Sequence, residues 1–543
     1  MENIANSVCH LVADLLDEYD VRHIVVSPGS RNAPLITVLE RKGCFRLHPV
    51  VDERTAAFVG LGMALRSAEP VALVCTSGTA VLNYAPALAE AYYRGVPLIA
   101  ISADRPALWV DRLDSQTIRQ HGALAAVVKK SIDIPVAADH EHQLFRLANL
   151  QVNEALTAAT GHHPGPVHIN VQLDVPLTRL TTEPPLFSGH KIGTLTPSMR
   201  FSDPALAELA ESLTDKKILV VAGGYPAGDD LNSIVRHLND EDILPVFAEV
   251  QANLEGAYRV AAVERSLREI QPEMQPDVVV TFGGSLVSGR LKNWLRSLRG
   301  VRHICLGAVD PMVDTFGSLA ECVDCKPEIF LSVLAETGTD RDFAHDWWSF
   351  YSDALQQNDT EVEAHPLLHI FAELARNSAG RDVCIGNGSA IRYAQRVAWH
   401  AERLDCNRGV SGIDGSTSTA LGSAIVSNLP TVLITGDMSA GYDIGVLLNC
   451  DIPSNFKIVV LDNDGADIFR NITTTNRLKE CNEFFVLPHR LPYFEICDNF
   501  GGEFFEINVG EEEPEGVLED FLTSTGPAML VLRINPEVSK DLL

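Results

Sequence analysis

No Lys/Arg-rich block occurs anywhere in the 543 residues, and the formal net charge is −29. A nucleic-acid binder needs a basic face to neutralise phosphates, so that class of partner is excluded. No apolar run reaches the roughly 18–20 residues of a membrane span, so stable membrane insertion is not expected. The first residues, Met1 to Asp14, lack the basic start of a secretory signal and carry Glu2 and Asp14 instead. Acidity and the missing signal together give a cytoplasmic expectation. The eleven cysteines are odd in number and scattered, as reduced thiols are. Cys322 and Cys325 form one CxxC without a second pair at zinc-site spacing, so they read as incidental thiols. No GxxxxGK[ST] is present, which removes a Walker-type phosphate site, and no GxGxxG follows a strand. Short-period repeats and low-complexity tracts are also missing.

What is present is an ordinary globular composition, 46% hydrophobic and 21% charged. At about 100–200 residues per domain the length suggests three domains. Short apolar runs read as buried parallel strands: HIVV (23–26), VALVC (71–75), PLIAIS (97–102) and VHINVQL (167–173). TAAFVGLGMALRSA (55–68) reads as a helix with Phe58, Leu61 and Leu65 on one face. A polar, Pro- and Thr-rich stretch at 178–198 reads as a linker. Strands resume at KILVVAGGY (217–225), LPVFAEV (244–250), PDVVVTFGGS (276–285) and RHICLGA (302–308). After a charged helical stretch (337–363) come DVCIG (382–386), TVLIT (431–435), KIVVL (457–461) and AMLVLRI (528–534). The expected class is α/β, with three domains at 1–180, 195–345 and 355–543, each a mainly parallel sheet flanked by helices.

The chemistry concentrates in TVLITGDMSAGYDIG (431–445) and KIVVLDNDGADIF (457–469). Each is a buried strand that breaks at its carboxyl end into small and polar residues, the edge where open α/β sheets bind ligands. The breaks carry Asp437 and Asn463 at a spacing of 26. A carboxylate, a side-chain amide and the Gly465 carbonyl are hard oxygen donors that suit Mg²⁺ completed by phosphate and water. Gly436 lets backbone approach a diphosphate, and Met438 and Ser439 can present N–H groups from a helix start.

This pair at this spacing resembles the metal and diphosphate motif of thiamine-diphosphate-dependent enzymes. The resemblance covers essentially the whole chain. It implies a pyrimidine-binding domain, a central domain and a diphosphate-binding domain, with Asp437, Asn463 and Gly465 on Mg²⁺ or Mn²⁺. It also implies a catalytic glutamate at a strand-to-helix junction in the first block, where HPVVDERTAAF (48–58) supplies Glu53. In the family that carboxyl hydrogen-bonds the aminopyrimidine and favours the imino tautomer that deprotonates the thiazolium. A glutamate here could instead simply favour a helix start. By the same resemblance Ile413 holds the cofactor bent, and Asn387, Gly388, Ser389 and Ser411 contact it, with Ile468 and Phe469 beside the reacting groups. An active site formed between two chains is implied, so a homodimer or dimer of dimers is expected.

A narrower resemblance rests on SPGSRNAPL (27–35), TSGTAVLN (76–83), SADRP (102–106), SQTIRQ (115–120), GNGSAIR (386–392) and NRGVSGIDG (407–415). It is to the branch of the family that decarboxylates 2-oxoglutarate and adds the succinyl-semialdehyde carbanion to isochorismate in menaquinone biosynthesis. Both substrates are dianions, and arginine grips carboxylates with two parallel hydrogen bonds. Arg31, Arg105, Arg392 and Arg408 stand in loops at strand ends, a basic pocket within an acidic chain. The resemblance assigns substrate contacts to Ser30, Arg31, Arg105, Gln116, Arg392 and Arg408, with Arg408 and Gln116 also catalytic, and Arg290 to an isochorismate carboxylate. The chain departs from the pattern at Ser115, Gly388 and Gly289, where asparagine, serine and lysine are common. Two other functions remain open at this point: a simple 2-oxo acid decarboxylase, and a non-catalytic thiamine-diphosphate binder. His162 and His163 read as a surface turn whose rings point apart, EEEPE (511–515) as a solvated loop, and His48 as structural.

Overall fold

The computed structural model describes residues 2–194, 204–307, 312–511, 513–540 and 542. Part of the linker reading (195–198), the start assigned to the second domain (195), the end of the 302–308 strand and Glu512 of the acidic run lie outside them. Three six-stranded sheets, all parallel, carry the fold. The first comprises β1 (His23–Val26), β2 (Arg46–Pro49), β3 (Val71–Cys75), β4 (Leu98–Asp104), β5 (Lys130–Ile134) and β6 (Val167–Gln172), in the order β2-β1-β3-β4-β6-β5. The second comprises β7 (Ile218–Ala222), β8 (Val246–Ala248), β9 (Tyr258–Arg259), β10 (Val278–Phe282), β11 (Arg302–Leu306) and β12 (Leu319–Val323), in the order β9-β8-β7-β10-β11-β12. The third comprises β13 (Asp382–Ile385), β14 (Arg403–Cys406), β15 (Thr431–Gly436), β16 (Phe456–Asp462), β17 (Glu503–Asn508) and β18 (Ala528–Arg533), in the order β14-β13-β15-β16-β18-β17. First and third sheets therefore share one topology, and the second differs.

Interior strands are largely apolar because both faces are covered, with a few buried polar residues such as His168 and Asn170. Ile24 and Val26 face one core, with Ala72 and Val74; Val25 faces the other, with Leu73 and Cys75. That second core continues into the third sheet through Leu433, Ile458 and Val460. Two helices fill the space between the sheets, Glu53–Ser67 and Ser416–Val426. Every residue from Thr55 to Leu65 is buried, so the helix is not the one-faced element its Phe58, Leu61, Leu65 spacing suggests. Small residues make this possible. A Cβ on Gly62 would lie 1.9 Å from the Thr419 carbonyl oxygen, and one on Gly422 would lie 2.0 Å from that of Val59. The backbones touch, and only glycine fits at either crossing point.

In the shared topology the strand order reverses between the first and third strands of each sheet, which opens a crevice at their carboxyl ends. There the loops after β1 and β3 meet, with a Cβ on Gly29 falling 2.4 Å from Thr76 Cβ. The loop after β13 meets the carboxyl end of β15 likewise, with a Cβ on Gly386 falling 2.6 Å from Thr435 Oγ1. These two crevices hold the candidate site residues.

Candidate active site

At the first crevice Glu53 lines a cavity of about 280 Å³ together with Thr76, Ser77, Gly78, Thr79, Ala80, Asp114, Gln116, Thr117 and Ile118. The helix that Glu53 begins is capped by its neighbour. Asp52 accepts from Arg54 N at 2.8 Å and Thr55 N at 3.2 Å, which leaves the Glu53 carboxyl for the cavity. The opposite wall is held in strained backbone. Gln116 has φ 53°, and Gly78, at φ 87°, would put a Cβ 3.4 Å from the Gln116 carbonyl oxygen. Gln120 fixes this loop from below: its Oε1 accepts from Gly78 N at 2.7 Å and its Nε2 donates to Asn170 Oδ1 at 2.9 Å. Arg31, buried, donates to the Leu173 carbonyl at 2.8 Å and has no carboxylate partner among the described residues. Burial and the neighbouring Arg105 push its pKa down. Arg105 is engaged already, pairing with Asp114 at 2.9 Å and donating to the Ser115 carbonyl at 2.7 Å. Ser30 is exposed.

At the third-sheet crevice Asp437 follows β15 directly and is 2% exposed. Its Oδ2 accepts from Gly465 N at 2.8 Å and its Oδ1 from Met438 N at 2.6 Å. The carboxylate thus ties the ends of β15 and β16 together, and the Met438 N–H is spent on it rather than left for a phosphate. Burial pushes the Asp437 carboxyl up to about 6 against the pull of those two N–H groups. Asn463 is buried, and its amide has no hydrogen-bond partner among the described residues. The turn continues through Asp464 at φ 61° and Gly465 at φ 110°, where a Cβ would strike the Val486 carbonyl oxygen at 2.4 Å. The Gly465 carbonyl accepts from Asp467 N at 2.8 Å. A Cβ on Gly436 would meet nothing within 4 Å, so the backbone is open to a close ligand there. Ser439 Oγ donates to the Ile413 carbonyl at 2.6 Å, and Ile413 is 36% exposed. Ile468 and Phe469 are half-buried on the same loop, the latter against Phe485.

A third group forms where the second and third sheets' loops meet. Asn387 Nδ2 donates to the carbonyls of Asn407 at 2.6 Å and Gly412 at 2.7 Å, which folds the Asn407–Ile413 loop over it. Arg408 donates to Asn387 Oδ1 at 3.1 Å and to the Leu286 carbonyl at 3.0 Å, and its buried Nε is unpartnered. Lys292 Nζ donates to the same Leu286 carbonyl at 3.1 Å. Arg392 donates to the Gly388 carbonyl at 2.6 Å, Gly388 being at φ 90°. Burial, then Arg408, lowers the pKa of both Arg392 and Lys292. None of the three has a carboxylate within ion-pair distance among the described residues. Glu249 organises the Leu286 loop from beneath, accepting from Val287 N at 2.6 Å and Ser288 N at 2.7 Å.

The structure thus gathers Glu53 with Gln116, Asp437 with Asn463, Gly465, Ser439 and Ile413, and Arg392 with Arg408 and Asn387. It leaves Arg290 exposed on the first turn of the Gly289–Ser297 helix, and puts Lys292 into the cationic group instead. Sequence reasoning misses Lys292 and Glu249; the register of that helix after Ser288, its N-cap, is the signal that points Lys292 back toward Leu286. His48 stacks on His23, with His48 Nε2 3.0 Å from His23 Nδ1, and burial lowers His48 to about 4, a structural pairing. The reading of His162 and His163 as rings pointing apart is corrected: both Nε2 atoms face Asp324. Cys322 and Cys325 are free thiols.

A hard oxygen donor set with an unpartnered side-chain amide and a destabilised carboxyl fits a small divalent cation. An exposed Ile413 and open backbone at Gly436 fit a bound cofactor. The family model described as thiamine pyrophosphate enzyme, N-terminal TPP binding domain matches residues 6–124. Curated relatives named 2-succinyl-5-enolpyruvyl-6-hydroxy-3-cyclohexene-1-carboxylate synthase match nearly end to end. The one from Desulfotalea psychrophila is 34% identical over 98% of both chains. That from Porphyromonas gingivalis is 33% identical over 96% of this chain and 93% of its own. The Phocaeicola vulgatus protein is 32% identical over 98% and 96%. With a thiamine pyrophosphate domain on the first sheet and this similarity along its length, the chain belongs to the 2-succinyl-5-enolpyruvyl-6-hydroxy-3-cyclohexene-1-carboxylate synthase family of thiamine pyrophosphate enzymes.

Proposed function

We propose that this chain decarboxylates 2-oxoglutarate and transfers the remaining four-carbon unit to isochorismate by conjugate addition, giving 2-succinyl-5-enolpyruvyl-6-hydroxy-3-cyclohexene-1-carboxylate for menaquinone biosynthesis. The observation that carries the reading is Arg31, Arg392, Arg408 and Lys292: four cations of a chain of net charge −29, none of them with a carboxylate within ion-pair distance among the described residues. Leaving cations uncompensated is costly unless anions occupy the site in the working state. Two dianionic substrates would do so, and a monoanionic 2-oxo acid would need fewer.

Bound thiamine diphosphate supplies the carbanion chemistry that lets a 2-oxo acid lose CO₂ and form a new carbon–carbon bond. The chain's residues do the rest. Asp437, Asn463 and the Gly465 carbonyl would hold Mg²⁺, or Mn²⁺, with the diphosphate; the open backbone at Gly436 and the loops at Asn387–Ser389 and Ser411 would contact the cofactor. Ile413 would support it, and Ile468 and Phe469 would exclude water. Glu53 holds a proton against the aminopyrimidine ring. Arg392 and Arg408 orient substrate carboxylates, with Lys292 as a third cation. Arg31, with Ser30 and Gln116, grips a carboxylate on the first-sheet side, where Arg105 must exchange Asp114 for substrate. Arg290 would have to swing inward.

All residues lining the Glu53 cavity come from first-sheet loops, with none from the metal loop. That supports completion of each site by a second chain, in a homodimer or dimer of dimers. We assign the pyrimidine-binding role to residues 1–180, the metal and diphosphate role to 355–543, a central domain to 195–345, and the whole to the cytoplasm. The test mixes protein, thiamine diphosphate, Mg²⁺, 2-oxoglutarate and isochorismate, and follows isochorismate absorbance with mass spectrometry of the product. Loss requiring all four additions, with a product retaining the isochorismate skeleton plus a succinyl unit, is expected. CO₂ release without isochorismate loss would overturn the carboligase reading in favour of a decarboxylase.

A further inference from the structure

Two sequence features that the proposed reaction leaves unused come together in space. GHHPGP, ahead of β6, carries His162 and His163; the CVDC run that ends β12 carries Asp324. His162 Nε2 lies 3.1 Å from Asp324 Oδ1, and His163 Nε2 lies 3.1 Å from Asp324 Oδ2. The ring centroids are 4.4 Å apart and tilted by 53°. One donor atom from each residue falls within 4.8 Å of the others. The site is away from the catalytic crevices of the first sheet, because the histidine turn precedes a strand and those crevices lie at strand carboxyl ends.

We propose that His162, His163 and Asp324 bind a divalent transition-metal ion, Zn²⁺ being the best match, and that this ion clasps the first and second sheets together. Tetrahedral zinc with bonds of roughly 2.0–2.1 Å separates its ligand atoms by about 3.3 Å, close to the spacings here. Two imidazole nitrogens select Zn²⁺, Ni²⁺ or Co²⁺ over Mg²⁺, which prefers an all-oxygen shell such as that at Asp437. Binding displaces the Nε2 protons toward Nδ1 or solvent, and the fourth position is left to water. All three side chains are partly exposed, so an ion can enter from solvent. The Lys129 ammonium donates to the His163 carbonyl at this turn. A one-residue offset in the histidine pair would turn one ring away. The arrangement therefore depends on the sharp bend at residues 161–163 rather than on a helical i, i+4 repeat.

A second cluster, His369 with Glu373 and Glu515, is the internal control, since it also offers an imidazole and carboxylates. The experiment uses untagged, full-length protein loaded with thiamine diphosphate and Mg²⁺. Zn²⁺ is titrated by equilibrium dialysis with metal analysis, and thermal unfolding is followed in parallel. One Zn²⁺ per chain is expected despite excess Mg²⁺. Affinity should fall about tenfold or more in Asp324→Ala and in His163→Ala, with Asp324→Asn as the milder variant. The zinc-dependent rise in Tm should vanish with it, and His369→Ala should leave both intact. Unchanged zinc affinity in Asp324→Ala and His163→Ala would overturn the proposal, as would loss of binding in His369→Ala alone. A Tm that drops in Asp324→Ala with no zinc-dependent component in the parent protein would mark the cluster as an ordinary ion pair, and would equally overturn it.

Discussion

Replacing Glu53 by Gln separates the catalytic reading of this residue from the structural one. Glu53 is the first residue of the Glu53–Ser67 helix, and an acidic side chain in a first turn interacts favourably with the helix dipole, by about 0.3–1 kcal/mol. The helix does not depend on it for capping, because both N-terminal hydrogen bonds go to Asp52. Glutamine is isosteric and keeps the cavity wall. The expected stability loss is therefore under about 1 kcal/mol, measured by urea unfolding of the apo protein. Activity should respond very differently. If the carboxyl moves a proton in the rate-determining activation of the cofactor, its removal should slow turnover by about 10²–10⁴-fold. Hydrogen–deuterium exchange at the thiazolium carbon of the bound cofactor should slow in parallel, while cofactor affinity changes little because the metal loop is untouched. A variant that loses about 2 kcal/mol or more of stability yet keeps turnover within about tenfold would refute this reasoning and return Glu53 to the role of a helix-start residue.

Arg392→Met removes a part-buried cation beside Arg408 and should change the stability of the apo protein by no more than about 1 kcal/mol, while substrate KM rises; an unchanged KM would contradict the basic-pocket assignment. Gly62→Ala drives a Cβ into the Thr419 carbonyl and should cost about 2 kcal/mol or more by thermal or urea unfolding, because neither packed helix can retreat. His168 sets a pH dependence. Burial lowers its folded pKa from 6.5 to about 4, so the unfolded chain takes up the proton more readily; the stability it contributes is complete above pH 6.5 and is lost as pH falls toward 4. Between pH 7 and pH 5 that loss is about 2 kcal/mol, and His168→Gln should flatten the urea-unfolding profile over this interval by that amount.

The sequence by itself determined the interior of each sheet. All twelve strands legible as apolar runs appear; of the eighteen strands in the three large sheets, the six that were not legible are β2, β5, β9, β12, β14 and β17, the two edges of each. An edge strand is covered incompletely, so its residues mix polar and apolar types and the run is broken: Arg46–Pro49 and Leu319–Val323 are mostly half-exposed. The Asp437 and Asn463 junctions were readable for the converse reason, since a buried strand must stop abruptly where its chain turns toward a ligand. Tertiary structure alone decided what depends on partners distant in the chain. The Glu53–Ser67 helix is buried all round because Ser416–Val426 lies against it. Arg105 is neutralised by Asp114 while Arg392 is left uncompensated, and Lys292 rather than Arg290 joins Arg408. His162 and His163 converge because Asp324, from another sheet, stands between their nitrogens. Local sequence constrains backbone and burial through short-range sterics and periodicity; which charges meet depends on distances set only when three sheets pack.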